Sequence, residues 1–468
     1  MRIRVLGQYL QMTVGALALT ESMVFMAAFY VAVMARFGLG LESLPDLESS
    51  YGVLWPRAIL FSAVMLVCLL AFGLYSGRQR ARVMGLFIRG FAAFAAAISL
   101  MAAALYILPG LWIDRGVVLL AAVGAVSCAG LLRWLLYRLV DEDLFKRRVL
   151  IYGAGNRAAA IARLRRRSDR RGFLVVGFVR SHGECSELPT QQLMDVENGL
   201  IAHCRTHRVD EVVVAMDDRR RGFPISDLLE CRFLGVEVTE LLTFLERETG
   251  RVKLDVLNPS WMIFGSGFRR GALRLLSTRI LDLVSSSLIL LASLPVMLLT
   301  ALAIKLEDGW SAPVFYRQER VGLAGHTFDI LKFRSMCIDA ERDGALWAQR
   351  RDPRVTRVGA LIRRMRIDEL PQIINVFRGD MSLVGPRPER PQFVDGFVKD
   401  IPYYVLRHCV KPGITGWAQL CYPYGSSRND ALEKLQYDLY YIKNKCLLFD
   451  LTILLQTVEV VFLGKGAR

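Results

Sequence analysis

Four long apolar runs dominate the first third of the chain, at residues 11–36, 57–75, 84–108 and 117–137. Each meets the ~20 residues that a helix needs to cross hydrocarbon. They predict a transmembrane four-helix bundle over residues 1–145. The first run is too long for a cleavable signal peptide, lacks a small-residue cleavage pattern and is followed by three more. Arg2 and Arg4 precede it, and Arg78, Arg80 and Arg82 fill the second connection, whereas residues 37–55 carry Glu42, Asp46 and Glu48 and no Lys or Arg. The positive-inside bias then places both ends of the bundle in the cytoplasm, where the rest of the chain begins. Glu21 lies deep in the first run and reads as a partnered structural residue, with a transport role left open.

At Lys146 the pattern changes to that of an α/β domain. A short apolar strand, Arg148 to Tyr152, leads into Gly153-Ala154-Gly155-Asn156-Arg157-Ala158 and a helical pattern over 159–167. This is the strand, glycine turn and helix start of a dinucleotide fold. Further strands at 173–179, 211–216 and 235–241 predict a Rossmann-like domain over 146–250, followed by a linker over 251–278. Gly153 and Gly155 are candidates for cofactor binding. The acid expected ~20 residues later to hold a ribose hydroxyl is missing, because the second strand ends Val179-Arg180-Ser181. Arg180 facing a 2′-phosphate and a domain that keeps the fold without a dinucleotide both stay open.

A fifth apolar run at about 280–304 is interrupted by Ser285-Ser286-Ser287 and by Pro295. Proline removes a backbone donor and bends a helix. Arg269, Arg270, Arg274 and Arg279 precede the run, and Lys305, Arg317 and Arg320 follow it. A true span would export the remaining basic chain against the positive-inside bias. The run therefore reads as a re-entrant helix broken at Pro295, with an ordinary fifth span as the alternative. A last apolar run at 447–463 holds Asp450, Gln456 and Glu459 and reads as an amphipathic surface helix or a packed core helix.

Composition sharpens this picture. In 468 residues, 53% are hydrophobic and the mean hydropathy is +0.33, which excludes a disordered chain or a small disulfide scaffold. Sixty Lys and Arg against 44 Asp and Glu give a net charge of +16, concentrated in the polar part. Such a balance beside so much apolar surface suits an anionic membrane or phosphorylated substrates, not nucleic acid. The nine cysteines show no CxxC and no metal-ligand spacing, so they read as reduced thiols.

Cations then recur beside glycine and proline turns: Phe315 to Gly322, Lys332-Phe333-Arg334-Ser335-Met336, Arg363 to Gln372 (RRMRIDELPQ) and Gly379 to Pro388 (GDMSLVGPRP). Guanidinium groups match phosphate oxygens two at a time, a lysine adds a point charge, and a carboxylate can attack phosphorus or hold magnesium. Asp368 and Glu369 are the acids at hand. Being consecutive, they would diverge by about 100° on a helix, which favours separate tasks. Exposed acids balancing Arg363, Arg364 and Arg366 are the alternative that composition leaves open.

The KFRSM, DELPQ, GDMSLVGPRP, KPGITGWAQ and YDLYYI segments, in this order between about Arg279 and Leu463, resemble the bacterial sugar transferase family, the polyprenyl-phosphate hexose-1-phosphate transferases. With four spans and a Rossmann-like domain ahead of it, the chain is similar to the large members. Its carboxyl third is nearest in wording to the exosortase-associated exopolysaccharide branch. The resemblance implies a mainly helical, monotopic catalytic domain over 279–468, set on the cytoplasmic face of a bacterial inner membrane. It implies Asp368 as nucleophile, Glu369 as its partner, Mg2+ beside both, and Lys332, Arg334, Arg363 and Arg387 as phosphate-binding cations. It further implies transfer of a glucose- or galactose-type sugar-1-phosphate from a UDP-sugar to undecaprenyl phosphate, with release of UMP. Membrane lipid and downstream glycosyltransferases of polysaccharide assembly are the implied partners, and a homodimer is compatible.

Two rivals have residues of their own. A glycosyltransferase that moves only the sugar and releases UDP would hold its metal on a D-x-D, for which Asp141-Glu142-Asp143 is the candidate. A nucleotide-sugar dehydratase would use the Y-x-x-x-K at Tyr441 and Lys445, which lies far from the glycine turn.

Overall fold

A computed structural model gives the fold. It describes residues 2–462 apart from 6, 7, 38–52, 76–82, 108–112, 140–145, 165–168, 170, 171, 181–186, 195–198, 221, 258, 265, 266, 269, 270, 339, 341–351, 423, 424 and 426. The loop acids Glu42, Asp46 and Glu48, the cations Arg78, Arg80, Arg82, Arg269 and Arg270, and Asp141-Glu142-Asp143 lie outside the described residues. The chain divides into two compact units, Met1–Leu257 and Asn258–Arg468.

The first unit opens with an antiparallel pair, β1 (Arg2–Val5) and β2 (Gln8–Gln11), and four helices: α1 (Met12–Phe37), α2 (Trp55–Ala71), α3 (Val83–Ile107) and α4 (Arg115–Leu139). Phe25, Phe29, Phe61, Met65, Ala97, Ala121 and Ala125 meet in one core. Small residues on α4 let the helices approach where lipid gives no hydrophobic drive to associate. Among the described residues four helices are long and apolar enough to cross a membrane: α1, α3, α4 and the helix Ala272–Asp308 of the second unit. The second predicted span is shorter than expected. Pro56 starts α2 and Gly73, at φ +70°, follows its end, leaving 17 residues. At 1.5 Å per residue that is about 25 Å, short of the ~30 Å core. Glu21 is 0% exposed and accepts hydrogen bonds from Arg133 Nε at 2.5 Å, Arg133 Nη2 at 2.9 Å and the Tyr75 hydroxyl. It is the partnered structural acid expected.

The same unit contains a five-stranded parallel sheet in the order β5-β4-β3-β6-β7. Its strands are β3 (Arg147–Tyr152), β4 (Phe173–Val179), β5 (Leu193–Met194), β6 (Glu211–Val214) and β7 (Glu237–Glu240). Val149 and Ile151 point to one face, with α5 (Asn156–Ala162) and α8 (Leu241–Thr249). Leu150, Val212 and Val214 point to the other, with α6 (Leu200–Thr206) and α7 (Ile225–Phe233). Burial on both faces is why the strands read as continuous apolar runs. The strand order reverses between β3 and β6, where such folds place a ligand crevice. The two-residue β5 had no signal in the sequence.

In the second unit α9 (Pro259–Phe264) precedes α10 (Ala272–Asp308), which contains the predicted membrane segment. Helical structure starts inside the predicted linker and runs through Pro295 without the expected break. One missing donor is a local loss, and the flanking turns carry the helix across it. Both ends of α10 are fastened to the same unit. Near its start, Asp282 Oδ1 accepts from Ser382 Oγ at 3.0 Å and Leu383 N at 2.9 Å, and Arg279 donates to the Val376 and Phe377 carbonyls. At its end the Glu307 carboxylate accepts from Arg357 N at 2.8 Å and Val358 N at 3.0 Å, and Asp308 pairs with Arg334 at 2.6 Å. Met297 and Ile304 pack with Phe333 and Ile362, while Leu288, Leu291, Leu298 and Leu299 remain exposed.

Around α10 stand the antiparallel hairpin β8 (Phe315–Val321) and β9 (Thr327–Phe333), α11 (Arg357–Arg364), α12 (Gln372–Arg378), the parallel pair β10 (Ser382–Val384) and β11 (Gly413–Thr415), and α13 (Pro391–Asp400). Then come α14 (Trp417–Cys421), α15 (Arg428–Asn444) and α16 (Leu447–Phe462). Asp450 and Ile453 of α16 are buried, and Tyr441 donates to Asp450 Oδ1 at 2.8 Å and to the Val384 carbonyl at 3.0 Å. Of the two readings of this run, the packed helix is the one found. Tyr441 is likewise a core residue.

Candidate active site

The site is assembled from four places in the second unit. Thr356 caps α11 by accepting from Gly359 N at 2.9 Å, and with Glu307 on the next two amides the helix start is fully satisfied. At its other end α11 carries Arg363. The chain then passes through Arg366 at φ +60° into a single 3-10 turn, Ile367–Glu369. The dyad therefore sits on a tight turn between two helices, not on a helix as its spacing suggested. A left-handed arginine is a sparsely populated conformation. It re-aims the chain so that both acids face β9.

Asn375 locks that geometry. Its amide donates to the Asp329 carbonyl at 2.8 Å and its oxygen accepts from Leu331 N at 3.0 Å, clamping α12 to β9. Lys332, paired with Tyr316 across the hairpin, is thereby brought 3.5 Å from Glu369 Oε1. Arg387 reaches the same oxygen at 2.8 Å. Asn375 stands seven residues beyond Asp368 and carried no signal of its own in the sequence.

The two carboxylates are in opposite electrostatic states. Burial alone would raise Glu369, but Arg387 and Lys332 hold it well below the usual carboxylate range. Asp368 is raised, by burial first and by the neighbouring Glu369 charge second, with Lys332, Arg363 and Arg366 opposing. Its Oδ1 is buried without a hydrogen-bond partner. Lys332 is lowered by burial, with Glu369 opposing. One acid is thus a fixed anion tied to cations, and the other retains an uncommitted oxygen.

That oxygen's residue lines a cavity of about 350 Å3 together with Lys332, Arg334, Arg363, Phe315 and Arg320. Of the four predicted phosphate-binding cations, Lys332, Arg334 and Arg363 line it, and Arg387 approaches through Glu369. Arg334 differs from the rest, since its pairing with Asp308 commits part of the guanidinium to the end of α10. Arg320, one of the cations that follow the fifth apolar run, also lines the cavity. It donates to the Pro388 carbonyl at 3.0 Å, and burial pushes it down to about 10.

The glycine turn of the first unit presents a contrast. Gly153 has φ +129°, and a Cβ there would lie 2.6 Å from the Ala215 carbonyl, so only glycine fits. The amides of Asn156 and Arg157, where a pyrophosphate is expected, already donate to Asp217 Oδ2 at 2.9 Å and Oδ1 at 2.8 Å. Gly153 serves the turn, and in this structure the two amides at the start of α5 are held by Asp217.

The family model described as bacterial sugar transferase matches residues 273–464, which hold every residue of this constellation. A protein of Xanthomonas campestris pv. campestris, named UDP-glucose:undecaprenyl-phosphate glucose-1-phosphate transferase, is 30% identical, with 99% of this chain and 96% of that protein aligned. The chain belongs to the bacterial sugar transferase family. Two other transferases of this kind align over part of their length. The UDP-N-acetylgalactosamine-undecaprenyl-phosphate N-acetylgalactosaminephosphotransferase of Aeromonas hydrophila is 42% identical over 56% of this chain and 61% of its own. The undecaprenyl-phosphate glucose phosphotransferase of Komagataeibacter xylinus is 34% identical over 69% of this chain and 60% of its own. The chain thus spans about 60% of the length of these two relatives.

Proposed function

We propose that this bacterial sugar transferase moves a sugar-1-phosphate of glucose or galactose type from a UDP-sugar to undecaprenyl phosphate, releasing UMP, as the first membrane step of exopolysaccharide synthesis. The observation that carries this reading is the unpartnered, buried Oδ1 of Asp368 at a cavity walled by Lys332, Arg334 and Arg363. Asp368 attacks the β-phosphorus of the donor. A bond from its carboxylate oxygen to phosphorus forms as the bond to the UMP oxygen breaks, leaving a sugar phosphate on the aspartate. An oxygen of the lipid phosphate then attacks the same phosphorus and returns the free carboxylate. Glu369, held anionic, fixes Lys332 and Arg387 around the phosphates.

Asp368 and Glu369 would hold Mg2+. An orphaned buried carboxylate oxygen suits a hard cation, and among the described residues no cluster of three or more His, Cys, Asp or Glu side chains forms a metal site. That donor set fits an ion that keeps waters and completes its shell with substrate phosphates. When bound, the ion supplies charge that offsets the phosphate oxygens.

The placement proposed is the cytoplasmic face of the inner membrane, with the unbroken α10 seated in one leaflet without crossing it. Fastening of both ends of α10 to one unit supports it, as does the band of exposed leucines between them. The lipid product then passes to downstream glycosyltransferases. Purified full-length protein incubated with undecaprenyl phosphate and UDP-glucose or UDP-galactose labelled in the β-phosphate tests the reading: UMP should be released and the label should enter the lipid fraction. Release of UDP with an unlabelled lipid would assign sugar transfer alone and overturn it.

A further inference from the structure

The segment that carries Arg387 is gripped at four consecutive carbonyls. Pro386 O accepts from Gly413 N at 2.9 Å, Arg387 O from Arg407 Nη2 at 3.0 Å, Pro388 O from Arg320 Nη1 at 3.0 Å and Glu389 O from Val321 N at 3.0 Å. Prolines on both sides of Arg387 restrict its backbone further. From this held main chain the Arg387 side chain ends 2.8 Å from Glu369.

Of the two side chains among these donors, Arg407 is more buried than Arg320. It lies on the 3-10 helix Tyr404–Cys409, is 6% exposed, donates to Tyr404 Oη at 2.6 Å and stacks over that ring at 5.1 Å. Its charge is met by Asp438 of α15, 2% exposed, at 3.1 Å. Asp438 belongs to the YDLYYI segment, to which the reaction as described assigns no task. Buried ion pairs are poor sources of stability, because desolvating both groups offsets most of their attraction. What this pair does visibly is hold the Arg387 carbonyl.

We propose that Arg407, braced by Asp438, is a positioning residue: through the main chain of Arg387 it sets where the Arg387 guanidinium meets Glu369 and the donor's phosphates. The inference rests on the function proposed above. Displacing a phosphate-facing group by even 1 Å costs on the order of 100-fold in rate, so the effect is measurable without unfolding the protein.

The test is a double-mutant cycle on the full-length chain, with Asp438→Asn and Arg407→Lys each made alone and with Arg387→Ala. It is read on UMP release from UDP-glucose and on calorimetric affinity for UDP-glucose. Alone, each substitution is expected to lower UMP release by roughly 10- to 100-fold and to weaken affinity. With Arg387 already removed, the same substitution should cost less than about twofold on both readouts, since its route of action is gone. Equal losses in both backgrounds, or wild-type turnover in Asp438→Asn, would overturn the inference. Should Arg407→Lys not fold, the nearly isosteric Asp438→Asn decides alone. Wild-type protein that releases no UMP would overturn the function, and the affinity cycle would still judge the positioning role.

Discussion

Asp217 in the α/β domain accepts main-chain hydrogen bonds at 2.8 and 2.9 Å, whereas Asp368 in the catalytic unit keeps one buried oxygen with no partner and cations for neighbours. Both stand where a phosphate is expected. An acid whose lone pairs are spent on the backbone takes the amides that a phosphate would otherwise meet. An acid left short of partners carries an unmet desolvation penalty of about 1–3 kcal/mol, which a substrate or cation can relieve. The fold of a nucleotide binder and the chemistry of a phosphate site thus fall in different units of this chain.

The comparison breaks first at Asp368. Asp368→Asn should lower UMP release by on the order of 10,000-fold while leaving the melting temperature unchanged or slightly higher, since nothing is hydrogen-bonded to the lost oxygen. A variant with more than a tenth of wild-type turnover would return Asp368 to the status of Asp217. Next is Lys332→Met, which removes a cation beside Glu369 and should cost roughly 100-fold in kcat/KM for the UDP-sugar.

A pH profile sharpens the picture at a third acid. Burial pushes Asp438 up to about 6, while Arg407 and Lys434 pull it down and Glu389 pushes it further up. Above pH 6 it is ionised and braces Arg407; below, it becomes neutral and the brace weakens. Wild-type kcat/KM should therefore decline by about tenfold per pH unit at most as pH falls below 6, and this component should be missing from Asp438→Asn. The smallest effect belongs to Asp217→Ala. Losing the acid that caps α5 should cost about 1–2 kcal/mol of stability, read by hydrogen exchange in α5, with turnover within about twofold of wild type.

The sequence showed what local pattern can show. The bundle helices, the parallel strands and the glycine turn announce themselves by runs of apolar residues and by spacing, and Asp368, Glu369, Lys332, Arg363 and Arg387 stand in segments whose composition speaks for phosphate. Partners far apart in the chain had no such mark. Asp217 lies 61 residues beyond the amide it satisfies, Arg407 lies 20 beyond the carbonyl it holds, and Asn375 clamps a strand 46 residues earlier. Helix ends are equally poorly marked by apolar runs. Continuity of α10 through Pro295 depends on how neighbouring turns are packed, and the shortness of α2 follows Pro56 and Gly73, neither of which hydropathy encodes.

The way α10 is seated has a practical corollary. Met297 and Ile304 lie under Phe333 and Ile362, next to Lys332 and Arg363, and Glu307 closes the start of α11. Cutting the chain after α10 to obtain a water-soluble fragment would remove the side chains packed against Phe333, a cavity residue, and the acid that closes the start of α11. A reagent that loosens this packing would disable the site without resembling a sugar nucleotide at all.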